Sequence, residues 1–396
     1  MKILFLTNQL PFPPISGGKI KSWNLVDFFS NNHDLSVVSI INPDDIENLE
    51  EFRKKIKLKR LITKELNVKR SIINLLLSYF TRKTLNNFRT YSAEIKNNIK
   101  KIANDYDILF VDHYEMFQYV PRKFKGKVIL HTHNAEYIMW ERYANLEKSK
   151  LKKLFIKLEA KRIFDAEIKC CELADLVFAA PNDQTNLSKT GILSEKFRTT
   201  FHLGNDKMLD LPDYEFSNSE KALLCIGTLS WEPNVDGLVW FITDVWPTLI
   251  SEHPDLKFYV VGKDPDKRII EVSKEYSNII LTGFVDDTLE YYDRARVFIV
   301  PLRFGSGIKV KLLNTMYRGL PCVTTSIGTE GLEIENGKDL LIADDPGLFA
   351  KNVLQILTDE KLWNTLKQNS RKAVEDKYTW KKLLDSHNKD IINLLN

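Results

Sequence analysis

Short runs of apolar and β-branched residues alternate along this chain with stretches whose apolar positions recur at helical spacing. KILFLT (2–7), DLSVVSII (34–41), DILFVD (107–112), KVILHTH (127–133) and DLVFAA (175–180) are strand candidates, with helix-length segments between them. That order predicts a parallel sheet with helices on its faces, and the continuous apolar runs suit strands covered on both sides. A second series at 221–228, 257–263, 278–284, 297–302 and 321–326 repeats the pattern. Between the two lies HLGNDKMLDLPDYEFSNSE, 202–220, polar and punctuated by Gly and Pro. The expected organisation is therefore two doubly wound, Rossmann-like α/β units, 1–205 and 206–379, followed by an amphipathic helix over about 380–396. A length of 396 residues suits two hydrophobic cores rather than one.

In such sheets ligands sit at the carboxyl ends of the strands, which directs attention to the segments that follow them. After 297–302 comes RFGSG and then KVKLLNTMYRG, a helical pattern that stops at Gly319 with Pro321 beyond it. Glycines there let backbone N–H groups approach a ligand, and the helix start contributes about half a positive charge. With Arg303, Lys309 and Lys311 alongside, the segment fits a diphosphate.

Composition narrows the function classes. The chain is 43% hydrophobic and 28% charged, and its apolar runs, such as IINLLL at 72–77, fall far short of the roughly 20 residues that span a bilayer. The amino terminus lacks the apolar centre and cleavage site of a signal peptide, so a cytoplasmic location is expected. Cys170, Cys171, Cys225 and Cys322 show no metal-ligand spacing and read as buried free thiols. No Asp/His metal cluster is apparent in the sequence.

Charge is distributed unevenly. The net charge is +4, yet residues 53–101 hold fifteen Lys and Arg against Glu65 and Glu94. This segment is either a solvated basic helical face or a contact for an anionic acceptor or membrane surface. Apolar residues interleave with the cations in RSIINLLLSYFTRKTLNNF, which suits an interfacial helix, and no recognition motif points to nucleic acid.

The stretch PLRFGSGIKVKLLNTMYRGLPCVTTSIGTEGLE resembles the donor-binding segment of retaining glycosyltransferases of family 4, and more narrowly the bacterial sugar transferases of surface polysaccharides. PFPPISGGKIKSW, THNAEYIMWERYA, IGTLSWEPNVDGLVWFITDVWP, VVGKDP, LTGFVDDTLEYYDRARVFIVPL and YTW occur in the family's order. The resemblance covers nearly the whole chain, weakly between 45 and 105. It implies the GT-B fold, two Rossmann-like domains facing a central cleft, with the last helix returning to the amino-terminal, acceptor-side domain.

Site residues follow from the same resemblance. Gly17 and Gly18 would close over the donor phosphates, with Lys21 where related enzymes usually carry Arg. His133 would face the transferred sugar as the catalytic histidine; His131, on the same face of the strand, competes for that role. Glu136 and Arg142 would pair with each other or meet the acceptor. Gly227 and Thr228 would line the phosphate end, and Gly283, Phe284 and Val285 the nucleobase pocket. Arg303, Gly305, Ser306, Gly307, Ile308, Lys309 and Lys311 complete the donor segment, with Lys311 the foremost cation. Asn314 stands where the family commonly has a Glu that accepts from the ribose hydroxyls. Trp231, Trp240 and Trp246 read as packing residues.

The implied reaction is retaining transfer of a sugar from a nucleotide-diphosphate donor to a glycan or lipid-linked acceptor. The leaving diphosphate helps deprotonate the acceptor, with neither metal nor cofactor. Lys21 and Asn314 also permit a second expectation, a non-catalytic GT-B subunit or membrane adaptor of a glycan assembly complex. A GT-B epimerase is disfavoured, because no acid/base carboxylates can be placed for it.

Overall fold

The computed structural model describes residues 1–15, 17–147, 149–188, 191, 194–305 and 307–396. It divides into two compact units, Met1–Phe201 with Leu384–Asn396, and His202–Leu383.

The first unit is built on a seven-stranded sheet. Its strands are β1 (Lys2–Thr7), β2 (Asp34–Ile41), β3 (Arg60–Glu65), β4 (Ile108–Asp112), β5 (Lys127–His131), β6 (Leu176–Ala179) and β7 (Phe197–Thr199). They run parallel in the order β3-β2-β1-β4-β5-β6-β7, so the direction of winding reverses between β1 and β4. Ile3, Leu4, Phe5 and Leu6 are all fully buried, as a strand covered on both faces requires. On one face Phe5, Phe110 and Phe178 stack in a row across three strands. On the other, Leu4, Leu6, Leu109, Val111, Leu130 and Val177 join a second apolar layer.

The second unit carries β8 (Ala222–Ile226), β9 (Lys257–Val261), β10 (Ile279–Gly283), β11 (Val297–Val300), β12 (Cys322–Thr324) and β13 (Leu341–Ile342). Their parallel order is β10-β9-β8-β11-β12-β13, with its reversal between β8 and β11. The helix Val310–Arg318 ends at Gly319 in the left-handed conformation, φ 76°, and the Leu320 N–H closes onto the Thr315 carbonyl.

Several expectations need correction. Residues 53–101 are not one helical face: β3 lies within them as an edge strand, between the helices Leu49–Lys55 and Ile72–Phe80. Segment 202–220 packs within the second unit, where Arg296 reaches the Phe216 and Ser219 carbonyls and Lys367 the Tyr214 carbonyl. Trp240 and Trp246 are core residues, whereas Trp231, at the helix start before Glu232, is 45% exposed. All four cysteines are buried and free.

The last helix, Trp380–Leu395, begins in the second unit, where the Trp380 indole donates to the Gly204 carbonyl. Its remainder belongs to the first unit: His387 lies on the Phe178 ring and Asp390 pairs with Arg198. No helix among the described residues is long and apolar enough to cross a membrane.

Candidate functional site

Each sheet's reversal point brings two strand ends together, and each collects the chemistry expected there. In the first unit the ends of β1, β4 and β5 converge on Asp112. Asp112 is the register partner of His131 across β4 and β5, and it is fully buried. One carboxylate oxygen accepts from His131 Nδ1 at 2.7 Å and His133 Nε2 at 2.8 Å. The other accepts from Ser22 Oγ at 2.6 Å and Thr7 Oγ1 at 3.1 Å. Burial pushes this carboxyl up, but the field and hydrogen bonds of His133, His113 and His131 more than reverse that and hold it well below the usual range.

An ionised carboxylate only accepts, so these contacts assign the ring protons. His131 carries its proton on Nδ1 and His133 on Nε2. His133 therefore keeps Nδ1 as its accepting nitrogen. Burial lowers His133 and His113 to about 4 and His131 to about 3, so all three rings are neutral near pH 7.

His113 follows β4 with φ 77° and ψ 138°, a conformation costly for any residue with a Cβ. Its ring stacks on His133, 3.8 Å between centroids and 10° between planes. Gly18 lies beside this ring: a Cβ built there would be 3.6 Å from His133 Nδ1, an ordinary contact. Gly17 and Gly18 open the helix Gly17–Asn32. Lys21, one turn further on, is 1% exposed and donates to the Thr132 carbonyl at 3.3 Å. Burial lowers its ammonium to about 8 against the attraction of Asp112 and Asp183.

A polar cavity of about 610 Å³ opens beside these groups, lined among others by Asn8, Asn86, Arg89, His113, His133 and Glu136. Glu136 begins the helix Glu136–Leu146 and takes Asn86 and Arg70 as partners, at 3.3 and 3.8 Å, rather than forming the expected pair with Arg142. Glu167, from a neighbouring helix, accepts the Glu136 and Tyr137 N–H groups, and burial raises its carboxyl to about 8.

The absence of an Asp/His cluster expected from the sequence is corrected, since the fold places Asp112, His113 and His133 within ligand distance of one another. His133 Nε2 carries the proton held by Asp112, so within this group the ring would offer Nδ1. Asp112 and His113 escaped sequence reasoning although DHYE at 112–115 sits directly at a strand end. Their partners lie about twenty residues away on the next strand.

In the second unit the site is a turn facing a helix start. Gly227 and Thr228 follow β8, and Asn234 donates to the Thr228 carbonyl while accepting from Lys311 Nζ at 2.7 Å. A Cβ at Gly227 would meet Asn234 at 2.7 Å and lie 3.5 Å from the Lys311 ammonium. Burial lowers the Lys311 ammonium. Gly305 and Gly307 have φ 145° and 75°, conformations that suit glycine, and Lys309, which precedes the helix Val310–Arg318 without capping it by its side chain, donates its ammonium to the Gly307 carbonyl and lies 3.7 Å from Glu330. Ile308 packs beside Gly331, and Ser306 lies outside the described residues.

Arg303 is held by Asp236 through two hydrogen bonds of 2.8 and 2.5 Å. Asn314 gives its carbonyl oxygen to the Asn205 N–H at 2.8 Å, which pins the 204–205 backbone. Gly283, φ 72°, ends β10 and leads into exposed Phe284 and half-buried Val285.

Comparison with known proteins places this arrangement. Residues 220–359 match the family model described as glycosyl transferases group 1. Over 97% of its length the chain is 24% identical to an uncharacterized 44.6 kDa protein in the cps region of Klebsiella pneumoniae, covering 98% of that protein. It is also 24% identical to the capsular polysaccharide biosynthesis glycosyltransferase CapM of Staphylococcus aureus, over 51% of this chain and 53% of that one. Among solved structures, Anabaena HepE in complex with UDP and glucose superposes with a TM-score of 0.66 at 12% identity, covering 99% of this chain and 100% of HepE. The chain thus has the GT-B fold, and residues 220–359 of its second unit are similar to glycosyl transferases group 1.

Proposed function

We propose that this protein transfers a sugar, with retention of configuration, from a nucleotide-diphosphate donor to a glycan or lipid-linked acceptor in surface polysaccharide synthesis. The observation that carries this reading is the cradle in the second unit. The Gly227–Thr228 turn is tied through Asn234 to Lys311, next to a glycine-rich approach to a helix start. Backbone N–H groups, the helix dipole and two lysines would there meet the negative charge that grows on a departing diphosphate. HepE, similar in fold, was solved with UDP and glucose, and CapM bears a capsular polysaccharide name.

In this mechanism the protein positions and stabilises, and the leaving diphosphate draws the proton from the acceptor hydroxyl. His133 is the catalytic residue of the first unit: its Nδ1 accepts from a sugar hydroxyl. Asp112 is a positioning residue that holds the Nε2 proton. No metal is assigned a role.

A screen of nucleotide sugars tests this, reading slow donor hydrolysis and the shift in thermal midpoint. The expected result is at least one donor that is both hydrolysed and stabilising. If no nucleotide or nucleotide sugar shifts the midpoint and none is hydrolysed or transferred, the protein is instead a non-catalytic subunit or adaptor of a glycan assembly complex.

A further inference from the structure

The helix Ile72–Phe80 turns Ile72, Ile73, Leu76, Leu77 and Phe80 to solvent, with Phe80 87% exposed. The long helix Lys150–Leu173 does the same over its first turns with Leu151, Leu154, Phe155 and Leu158. A surface helix ordinarily presents one apolar stripe to its core and polar residues outward. This one already buries Ile156, Ala160 and Ile163, so the stripe at 151, 154, 155 and 158 is a second apolar face, left exposed by the described residues of the unit.

The two helices are joined at this place. Arg162, one turn beyond Leu158, donates to the Ser78 hydroxyl and carbonyl at 3.3 and 3.2 Å, and its guanidinium lies 3.9 Å over the Tyr79 ring. Both exposed stripes therefore belong to one region of surface. Cations surround it. Lys150, Lys152, Lys153, Lys157, Lys161 and Arg162 fall on thirteen residues whose sole acid, Glu159, is buried and paired with Arg162. Lys69, Arg70, Arg82 and Lys83 flank the shorter helix, which itself carries no charge.

We infer that this paired-helix surface docks on an anionic lipid leaflet, with the apolar stripes entering the headgroup and upper acyl region and the lysines meeting lipid phosphates. Large apolar side chains interleaved with ammonium groups are the composition of an interfacial helix. Lysine is depleted from the buried centres of protein–protein contacts, which argues against a second polypeptide as the occupant. The surface is argued from exposed side chains alone and does not rest on the proposed reaction; where both hold, docking delivers the enzyme to a lipid-linked acceptor.

Flotation of the full chain with phosphatidylcholine vesicles, with and without phosphatidylglycerol, tests the inference. The wild type is expected to bind the anionic vesicles preferentially and to be released by high salt. Ile73→Asp combined with Leu154→Asp is expected to reduce partitioning by at least about tenfold. Lys150→Gln with Lys152→Gln and Lys157→Gln is expected to reduce it severalfold on anionic vesicles alone. Phe80→Ser with Leu151→Ser, milder at exposed positions, is expected to act in the same direction without moving the thermal midpoint. Donor hydrolysis in solution is expected to be unchanged in all three, which separates this test from that of the reaction. Wild-type binding that ignores phosphatidylglycerol overturns the inference, as does a Asp-substituted variant that floats like the wild type. So does a variant that only changes from oligomer to monomer.

Discussion

The two strand-end sites of this protein handle charge in opposite ways. In the first unit one carboxylate, Asp112, accepts from four donors, two of them imidazoles, and three imidazoles around it are kept neutral by burial. In the second, cations are tethered to neutral or carboxylate acceptors around glycine-rich backbone: Lys311 to Asn234, Lys309 to the Gly307 carbonyl and Arg303 to Asp236. The first arrangement orients a ring and its proton. The second holds positive charge ready for an anion, because a lysine on a neutral amide keeps most of its field. One fold thus supplies orientation on one sheet and charge on the other, and substitutions at the two should fail differently.

The largest effect should come from removing the charge. Lys311→Met is expected to lower kcat/KM for transfer about 10²-fold, the scale for losing one donor aimed at developing charge. Nucleotide affinity should fall with it, measured by calorimetry with nucleoside diphosphates. Unchanged kinetics would remove the second unit's side of the contrast. Next comes Asp112→Asn, which takes away the acceptor that fixes both histidine protons. A decrease of about 10-fold in kcat with little change in KM is expected, together with about 1–3 kcal/mol of stability for leaving buried donors poorly matched. If kcat holds and stability alone falls, Asp112 supports the sheet rather than His133.

The same contrast predicts a pH signature for the first unit. His113 and His133 have folded values near 4, below their ordinary 6.5, so the unfolded chain binds more protons between those limits. Stability is therefore complete above about 6.5 and falls as pH drops towards about 4. Glu167 acts in the other direction: raised to about 8, its contribution is present below its ordinary 4.5 and is lost as pH rises through 8. His131 and His387, lowered to about 3, act with His113 and His133, so the histidines outweigh Glu167 and leave a net loss on acidification. His113→Asn, whose side chain tolerates positive φ and does not titrate, should flatten the decline in chemical unfolding measured from pH 7 to 5. An identical slope would show that the ring's burial is not what sets it.

The sequence carried the sheets better than their edges. β1 and β2 match the apolar runs at 2–7 and 34–41 residue for residue, because central strands covered on both faces leave a continuous apolar signal. β3 did not, since Arg60, Lys64 and Glu65 break the run on an edge strand with no neighbour on one side. Two-residue β13 is too short to leave any period. Site residues divide along the same line. The glycine-rich turn and helix start at 305–318 are contiguous in sequence and could be read there. Asp112 with His131 and His133 exists only once β4 and β5 are in register. The partners of the cations were likewise invisible: nothing in the spacing ties Asn234 to Lys311 or Asp236 to Arg303 across more than sixty residues.

Asn314 offers the finest test, because it stands one helical turn beyond Lys311 in the second unit. Its carbonyl already serves a structural end, accepting the Asn205 N–H, and a Cβ at Gly204 would fall within 1.9 Å of that oxygen. Asn314→Glu keeps an acceptor for Asn205 and adds a charged oxygen suited to a ribose hydroxyl. A gain of a few-fold in nucleoside diphosphate affinity is expected, about 1 kcal/mol for a charge-assisted hydrogen bond over a neutral one. The added negative charge would also lie one helical turn from Lys311, so part of the gain should be offset by weakened attraction for the diphosphate. A nucleoside and its diphosphate, taken as the pair that binds in the nucleotide screen, separate the two effects: the nucleoside should gain more than the diphosphate. Equal loss for both ligands would show that the 204–205 backbone, rather than the ribose, is what position 314 serves.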